Sequence, residues 1–340
     1  MHKRILLILY LFFLTVSAFT QNRSINYSMN QAIQVSLRKN PDLKLINLLI
    51  EKTKLDIEQR FIDIKESKLK SIQKKIAIMQ LENKREDIID LVYLDVQNKY
   101  YGCIISKTRL EKAKDNLQYI KSYLDKSSSN YKSGKIDLIT YKQIEEEYKQ
   151  KKEEYIFSRG EFKRSVLAFL LSINENLSIS INFTDSINQN TRLINLDSAQ
   201  ANLITSDRNI VLARLNYQLK KLEYNLLDNK IISKNEIEKA KYDLKEAKIK
   251  LEQEIRKQKV ELWSRYLQIK EQEARLITSE KRLNRAYTSY KLNESKYQQG
   301  YIPRYVLDQS IIVYNNLYVL NMSVIKDYSL AMLRFSFMVR

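Results

Sequence analysis

Apolar residues recur at every seventh position along two stretches of the chain, and the two stretches correspond to each other. The first consists of Ile89, Val96, Cys103, Leu110, Leu117, Leu124 and Tyr131. The second begins 166 residues later and consists of Ile255, Leu262, Ile269, Leu276, Leu283, Tyr290 and Tyr297. Because a heptad repeat of apolar residues is typical of long helices that pack on other helices, the pattern predicts two such helices in equivalent positions.

Each heptad stretch ends in a short segment that contains a glycine. The segments are Tyr131-Lys-Ser-Gly134-Lys-Ile136 and Tyr297-Gln-Gln-Gly300-Tyr-Ile302. A second heptad set follows each glycine: Tyr141, Tyr148, Tyr155, Phe162 and Phe169, and then Leu307, Tyr314, Asn321, Tyr328 and Phe335. An internal repeat determines the architecture of a chain. The sequence therefore predicts a mainly α fold of long antiparallel coiled-coil helices in two tandem repeats.

The region from Pro41 to residue 78 predicts helix with two apolar sides. Asn40-Pro41-Asp42 is a typical helix start, since proline fits the first turn and an acid suits the positive helix end. Two apolar rows follow: Leu48, Leu55, Ile62, Leu69 and Ile76, and Leu43, Ile50, Ile57, Ile64 and Ile78. Their offset of two residues is about 200° around a helix. A helix in a closed ring has neighbours on both flanks, and so does a helix inside a bundle, so both arrangements remain open.

The two apolar rows also leave open whether the chain runs straight or turns in this region. Their continuation through Leu69 and Ile76 favours a straight helix across residue 66. The capping box Ser233-Lys-Asn-Glu236 instead indicates a turn near residue 231, and the duplication then implies a matching turn near residue 66.

A different pattern separates the two repeats. Between Asn174 and Ser186, apolar residues at 177, 179, 181 and 183 alternate with polar ones, which is the period of a strand. We therefore predict helical repeat 1 over residues 22–173, a connector with one short strand over 174–197, and helical repeat 2 over 198–340. Residues 22–40 are polar, and we expect them to be partly extended.

The first 21 residues have the pattern of a secretory signal peptide. His2, Lys3 and Arg4 form a basic start, residues 5–13 an apolar core and residues 17–21 a polar exit. The apolar stretch is shorter than the ~20 residues of a transmembrane helix, so we expect cleavage and export rather than an uncleaved anchor. No cysteine follows directly, so a lipid anchor on a mature N-terminal cysteine is not expected.

Composition argues against catalysis. The only histidine is His2, inside the predicted signal, so the exported chain would lack the side chain most used for general acid–base chemistry and zinc ligation. The only cysteine, Cys103, occupies a heptad core position and is expected to be a small buried hydrophobe. We therefore expect no enzymatic activity, no cofactor and no metal site.

The charge of the chain is strongly basic, with 59 Lys and Arg against 40 Asp and Glu and a net charge of +19. Such a balance can indicate nucleic acid or an acidic membrane surface as a partner. Here the cations lie along whole predicted helices and are interleaved with glutamates, as in residues 145–152. This interleaving is typical of solvated helix faces, and we expect no nucleic-acid partner.

With these features assembled, the chain resembles the TolC-like outer-membrane efflux protein family. The opening Ala32-Ile-Gln-Val-Ser-Leu-Arg-Lys-Asn-Pro-Asp-Leu43 is similar to the family's A-x-x-x-A-L-x-x-N-P-x-L start. The duplication and the two Y-x-x-G-x-I segments extend the resemblance over nearly the whole exported chain. The resemblance implies a homotrimer whose helices form a long helical conduit in the periplasm, at the cell outer membrane.

The resemblance also implies a role for the glycine segments. In the family, these tips lie at the inner, periplasmic end and meet an adaptor protein coupled to an inner-membrane transporter. By resemblance, the docking and gating rim would consist of Tyr131, Gly134, Ile136, Tyr297, Gly300 and Ile302. The physical logic agrees, since glycine permits the left-handed geometry of a helix–helix turn and the apolar residue after it offers a contact.

Two features depart from the family pattern. The family inserts two membrane strands with a loop into each repeat, but the corresponding windows, near residues 61–70 and 228–234, are too short and too charged for that insertion. We therefore expect these strands to be missing, so that a partner supplies the pore or the chain is a periplasmic conduit or spacer. Secondly, Thr140 and Val306 stand where many family tips carry an aspartate; Asp308 is nearby but out of register.

Two functional hypotheses follow. The first is a TolC-like channel component in efflux or export, which the retained tip segments favour. The alternative is a periplasmic structural or adaptor coiled-coil protein without transport activity, which the expected lack of membrane strands favours.

Overall fold

The computed structural model describes residues 24–60, 68–187, 194–227 and 233–339. The elements in these ranges are, in order, β1 (Ser24–Tyr27), α1 (Met29–Lys39), α2 (Pro41–Arg60), α3 (Lys68–Lys132), α4 (Leu138–Ser172), β2 (Ser180–Phe183), α5 (Leu196–Ser206), α6 (Arg208–Leu227), α7 (Lys234–Gln298) and α8 (Arg304–Met338). The predicted signal peptide and most of the windows at 61–70 and 228–234 lie outside the described residues.

The duplication is visible in the lengths of the helices. Helices α1 and α5 have 11 residues each, α2 and α6 have 20, α3 and α7 have 65, and α4 and α8 have 35. From the start of α3 to the end of α4, equivalent positions in the two repeats differ by 166. The prediction of a mainly α fold built from two tandem helical repeats is confirmed.

The chain reverses direction between α2 and α3 and again between α6 and α7. A cluster of α2 residues, Leu43, Ile46 and Ile50, packs against α3 close to residues 81–89. Arg85 Nε donates a hydrogen bond to Asn47 Oδ1 at 2.9 Å. In the second repeat, Lys220 Nζ lies 3.8 Å from an Asp243 carboxylate oxygen. These contacts show that α3 runs antiparallel to α2 and α7 antiparallel to α6, so neither pair forms one straight helix.

The middle of the long helices is fixed by α1 and a two-stranded parallel sheet. Strand β1 pairs with β2 from Ser24 opposite Ser180 to Tyr27 opposite Phe183. We define the equatorial cluster as the buried residues Tyr27, Val96, Tyr100, Cys103 and Phe169, which pack together here. The Tyr100 hydroxyl donates to the Tyr27 carbonyl oxygen at 2.7 Å. The expected core role of Cys103 agrees with its full burial, which raises the pKa of its thiol to about 12.

Residues 22–40 differ in detail from the expectation of a partly extended segment. The extended part is β1, a second strand besides the one predicted in the connector, and helix α1 follows it. Helix α1 begins at a capping box, in which Ser28 Oγ accepts from the Gln31 N–H at 3.2 Å and Gln31 Oε1 accepts from the Ser28 N–H at 2.9 Å. The polar composition concealed this helix because only one narrow face, Ala32, Ile33 and Ser36, is buried.

The two repeats meet where α3 packs against α6 and α8, and we call the α3–α8 contact the internal seam. Asn315 Nδ2 donates to Asn116 Oδ1 at 3.0 Å, with both side chains buried. Ile105 of α3 packs in one cluster with Val319 and Met322 of α8. Since α3 also packs on α4 and α8 also packs on α7, the long helices follow each other in the order α4, α3, α8, α7. Helices α4 and α7 are therefore the outer edges of this layer.

No helix in the described ranges combines the length and the apolar character needed to cross a membrane.

Candidate functional site

The first tip connects α3 to α4 through a turn that requires glycine. Gly134 has a φ of 70°, in the left-handed region that side chains with a Cβ rarely adopt. The Lys135 N–H donates to the Asn130 carbonyl at 2.8 Å, and the Gly134 N–H donates to the Tyr131 carbonyl at 2.9 Å. These bonds satisfy the last carbonyl groups of α3, as in other glycine-terminated helices.

The second tip repeats this backbone geometry between α7 and α8. Gly300 has a φ of 77°. The Tyr301 N–H donates to the Lys296 carbonyl at 2.9 Å, and the Gly300 N–H donates to the Tyr297 carbonyl at 3.0 Å. A Cβ at either glycine would meet no atom within 4 Å. The requirement for glycine at both tips is therefore conformational and does not come from crowding.

The helices that leave the two tips begin differently. Asp137 caps α4, since its side chain accepts a hydrogen bond from the Thr140 N–H at 2.7 Å, and this bond lowers the pKa of the Asp137 carboxyl. Pro303 stands before α8 and makes no side-chain cap bond. Both starts satisfy the geometry of a helix N-terminus, one through a capping side chain and one through the fixed φ of proline.

Large apolar side chains point into solvent at both tips. Tyr301 is 76% exposed and Ile139 is 70% exposed, and Leu138 is 51% exposed. Ile136 and Ile302, which the sequence suggested as contacts, are only half-buried beside them. The apolar surface of the first tip is therefore carried mainly by Leu138 and Ile139, two and three positions after Ile136. At the second tip it is carried mainly by Tyr301, one position before Ile302.

The two predicted tyrosines of the tips are held by their neighbours. Tyr131 stacks on Tyr141, with ring centroids 5.3 Å apart and planes at 11°. The Arg304 guanidinium lies 5.3 Å from the centroid of the Tyr297 ring, a cation–π contact. Both tyrosines remain more than one third exposed. Each tip thus presents an aromatic ring in a fixed orientation.

The structure brings the two tips side by side through contacts that sequence reasoning missed. The rings of Tyr123 on α3 and Tyr305 on α8 stack with centroids 5.5 Å apart. The Arg304 guanidinium also lies 5.9 Å from the Tyr119 ring. Tyr119, Tyr123 and Tyr305 all fall outside the heptad rows, and no spacing rule pairs residues from different repeats. All six predicted tip residues therefore lie at one end of the molecule, in two adjacent loops and the last helical turn before each.

An ion pair lies directly behind the second tip. Arg304 Nε donates to Asp308 Oδ1 at 2.8 Å, and the Asp308 side chain is only 9% exposed. Burial raises the pKa of the Asp308 carboxyl, while Arg304 acts in the opposite direction. The acidic residue that is out of register in the sequence is thus tied to Arg304 within the same helix.

The outer edges carry apolar side chains that no part of the described chain covers. On α2, Leu45, Leu48 and Leu55 are between 58% and 66% exposed. On α4 and α7, the exposed large apolar residues include Ile156, Phe157, Leu167, Leu171, Tyr242, Ile249, Val260, Trp263 and Leu267. The two-sided character predicted for α2 is therefore present, with one side packed on α3 and the other open.

Comparisons with known proteins define the fold. No protein-family model matches the chain, and no curated protein matches it. Solved structures do match: a membrane protein from Pseudomonas aeruginosa has a TM-score of 0.69 at 10% identity over 92% of this chain and 93% of that one. CusC, described in terms of transmembrane channel formation, has a TM-score of 0.67 at 10% identity over 94% and 95%.

The Campylobacter jejuni CmeC outer membrane channel gives the same result, with a TM-score of 0.66 at 10% identity over 92% of this chain and 85% of that one. These similarities cover nearly the whole described chain. The predicted resemblance is confirmed at the level of the fold, which is that of TolC-family outer-membrane channels. At this identity the match establishes the fold, and function has to be argued from the molecule.

Proposed function

We propose that this protein is a TolC-like component of an efflux or export system, in which its long helices form a periplasmic conduit. The observation that carries the proposal is the match to the CmeC outer membrane channel and to the Pseudomonas membrane protein, over 92% of this chain and 85% or more of each of those chains. Partial matches arise from any long helical hairpin. A match over 92–94% of this chain is longer than either repeat alone and requires the same arrangement of the long helices.

The open edges support assembly into a closed ring. Most of the exposed large apolar residues lie on α2, α4 and α7, which are the edges of the layer, and an edge of one copy differs from the opposite edge. Contacts between unlike surfaces generate rings when the rotation closes. We propose a homotrimer, as the family resemblance implies, in which α4 and α2 of one copy meet α7 of the next.

The tips are the proposed contact with the rest of the transport system. Tyr131, Gly134, Ile136, Tyr297, Gly300 and Ile302 would form the rim, together with the more exposed Ile139 and Tyr301. Rigid tyrosines and exposed aliphatic side chains are typical of protein-binding surfaces. We propose that the partner is a periplasmic adaptor protein, coupled to an inner-membrane transporter.

The location and class of the protein complete the proposal. We propose export to the periplasm and association with the outer membrane, with no enzymatic role. The alternative, a periplasmic structural or adaptor coiled coil without transport, is favoured by the charged windows at 61–70 and 228–234. The two hypotheses differ in whether loss of the protein changes the export of small molecules.

The test compares a strain that lacks the protein with strains that express it or its tip variants. If the protein is a conduit, deletion of its gene raises the accumulation of exported dyes or drugs in the cells. The wild-type gene then restores export and lowers this accumulation. Gly134→Val and Gly300→Val disturb only the tips, so they should fail to restore export while their amounts in the envelope stay normal.

The matched control is Gly102→Val, at a helical glycine of α3 where a Cβ meets nothing within 4 Å. It should restore export. A deletion strain that accumulates no dye or drug above the wild type would remove the transport proposal and leave the structural alternative.

A further inference from the structure

Helices α4 and α7 each have a flank whose equivalent in the other repeat is part of the internal seam. The offset of 166 residues relates α8 to α4 and α3 to α7. On α8 the seam includes Tyr305, Ile312, Asn315, Met322 and Ser329, and the α4 equivalents are Ile139, Glu146, Lys149, Ile156 and Lys163. All five α4 residues are exposed.

The same relation holds for the other edge. On α3 the seam includes Gln97, Ile105, Asn116, Tyr119 and Tyr123, and the α7 equivalents are Trp263, Glu271, Arg282, Arg285 and Ser289. All five α7 residues are exposed too. Two exposed flanks of one chain thus have the spacing and length of a contact that the same chain already makes internally.

We propose that neighbouring copies join through these two flanks in a copy–copy seam that is attractive near the equator and held apart by like charge at the tip end. The occupant of each flank is a second copy of this chain, because the chain itself carries the complementary flank at the matching offset. The inference rests on the ring of the proposed function and adds the chemistry of its seam.

Near the equator, the equivalent positions combine favourably. Gln97 Nε2 donates to Ser329 Oγ at 2.8 Å in the internal seam, and the equivalents are Trp263 and Lys163 of the next copy. A lysine whose aliphatic stem and ammonium group lie over an indole ring is stabilised by apolar contact and by the cation–π interaction. The neighbouring exposed Leu267 and the exposed Ile156 of the next copy add apolar area. The equivalents of Ile105 and Val319 are the carboxylates Glu271 and Glu153, and Arg275 of α7 pairs with Glu271.

Toward the tips, the equivalent positions carry excess positive charge. In the internal seam, Asn116 and Asn315 form a buried hydrogen bond. In the copy–copy seam, the equivalent residues are Arg282 and, from the next copy, Lys149, and they face each other. One carboxylate is close, since Glu146 lies 3.9 Å from Lys149. Like charges that face each other across an interface oppose association.

One level closer to the tips, Tyr119, Asp308 and Ile312 line one small cavity of the internal seam. Their equivalents are Arg285 on α7 and Lys142 and Glu146 on α4. Lys142 is already bonded to Glu145 at 2.6 Å. The tip end of the copy–copy seam therefore holds four cations, Arg282, Arg285, Lys142 and Lys149, and two carboxylates, Glu145 and Glu146.

The consequence is a seam whose tip end responds to charge and salt. Screening weakens repulsion between exposed charges that are separated by about a Debye length, roughly 10 Å at 0.1 M salt. Higher salt, or replacement of a cation by an acid, should bring the tip ends of neighbouring copies together. The internal seam, which uses hydrogen bonds, stacked rings and the contact of Arg304 with the Tyr119 ring, should respond less.

The test uses paired cysteines in the full-length protein in isolated envelopes, with oxidation and non-reducing electrophoresis. Ile139→Cys with Ser289→Cys reports the tip end, and Ile156→Cys with Glu271→Cys reports the region near the equator. We expect the second pair to form cross-linked oligomers at all salt concentrations. The tip pair should cross-link weakly at low salt and several-fold more at high salt or with Lys149→Glu added.

Two controls define the background. Ile139→Cys with Thr288→Cys moves one cysteine by about 100° around α7, away from the seam, and should not cross-link. The native Cys103 is fully buried and has a raised thiol pKa, so it should not contribute.

A further variant tests the charge argument. Glu146→Gln removes one of the two acids at the tip end and should lower the cross-linking yield of the tip pair.

Each outcome bears on a separate statement. Full cross-linking of the tip pair at low salt, unchanged by Lys149→Glu, would overturn the charge argument. Oligomers without cross-links at either pair would overturn the assignment of the flanks. Cross-links of the expected pattern in a protein whose deletion leaves dye export unchanged would support the seam and reject the transport function. Absence of any oligomer would reject both the seam and the ring.

Discussion

Helices α4 and α8 occupy equivalent positions in the two repeats and have the same length, yet they are buried to different extents. Four residues of α4 are buried, against twelve of α8. The difference follows from position in the layer, because α8 lies between α3 and α7 whereas α4 packs on α3 alone among the long helices of the described chain. The two helices are equivalent in the repeat but differ in burial, which indicates that α4 is an edge helix and α8 an interior helix.

The comparison also explains why the two helices differ in composition. Where α8 places Asn315 and Met322 in the internal seam, α4 places Lys149 and Ile156 in solvent. A buried charge without a partner is costly, so α8 cannot carry lysine at these positions, while α4 can. The predictions that follow test this contrast in order of decreasing effect.

The largest expected effect comes from placing a charge at equivalent positions of the two helices. Met322→Lys puts an ammonium group into a buried cluster with Ile105 and should cost about 3 kcal/mol or more of unfolding free energy. Ile156→Lys changes an exposed side chain and should alter the stability of the single chain by less than about 0.5 kcal/mol. Denaturant unfolding of the two purified variants measures both values. Equal losses would show that α4 is not an edge.

The next effect tests the polar contact of the internal seam. Asn116→Ala leaves the buried Asn315 amide without its partner and should cost about 1–3 kcal/mol. Arg282→Ala, at the equivalent position of α7, removes an exposed side chain and should be nearly neutral in the single chain. Thermal unfolding followed by circular dichroism compares them. A neutral Asn116→Ala would contradict the expectation that this buried hydrogen bond stabilises the packing of α3 on α8.

A smaller effect concerns the backbone of the tips, which is the same in both repeats. Gly134→Ala and Gly300→Ala force a Cβ into a left-handed conformation and should each cost about 1 kcal/mol. Gly102→Ala, inside α3, should instead be neutral or stabilising because alanine favours a helix. Thermal unfolding of the three variants gives the ranking. A tip variant as stable as Gly102→Ala would mean that the tips adopt other turns.

The smallest effect is the titration of Asp308 behind the second tip. Burial raises the pKa of this carboxyl, so between its ordinary and its raised value the folded chain binds more protons than the unfolded chain. Stability from this group is therefore present below about pH 4 and is lost as pH rises through the folded pKa. Asp308→Asn should flatten that part of the profile of melting temperature against pH. An unchanged slope would show that Asp308 titrates normally.

Much of the fold was accessible from the sequence because it repeats on two scales. The heptad rows located α3, α4, α7 and α8, and the offset of 166 residues related them. Gly134 and Gly300 could be located from the sequence because a left-handed turn strongly favours glycine over other residues. The six tip residues were named from a resemblance, and their role stays a prediction.

Other features depend on contacts between distant parts of the chain. Strand β1 has four residues and gains its pairing from β2, more than 150 positions later, so its alternation is too short to stand out. The stacking of Tyr123 on Tyr305 joins different repeats and follows no local period. Which of two apolar sides of α2 is packed, and which is open, likewise follows only from the position of α3.

The central claim, that this chain forms an envelope-bound ring of equivalent copies, is tested most directly by fractionation of cells that express the native protein. Envelopes are washed with carbonate, and the oligomeric state of the retained protein is measured after mild cross-linking. We predict retention in the outer-membrane fraction as a trimer. Recovery of the protein as a monomer in the washed-off soluble fraction would contradict the ring and the conduit.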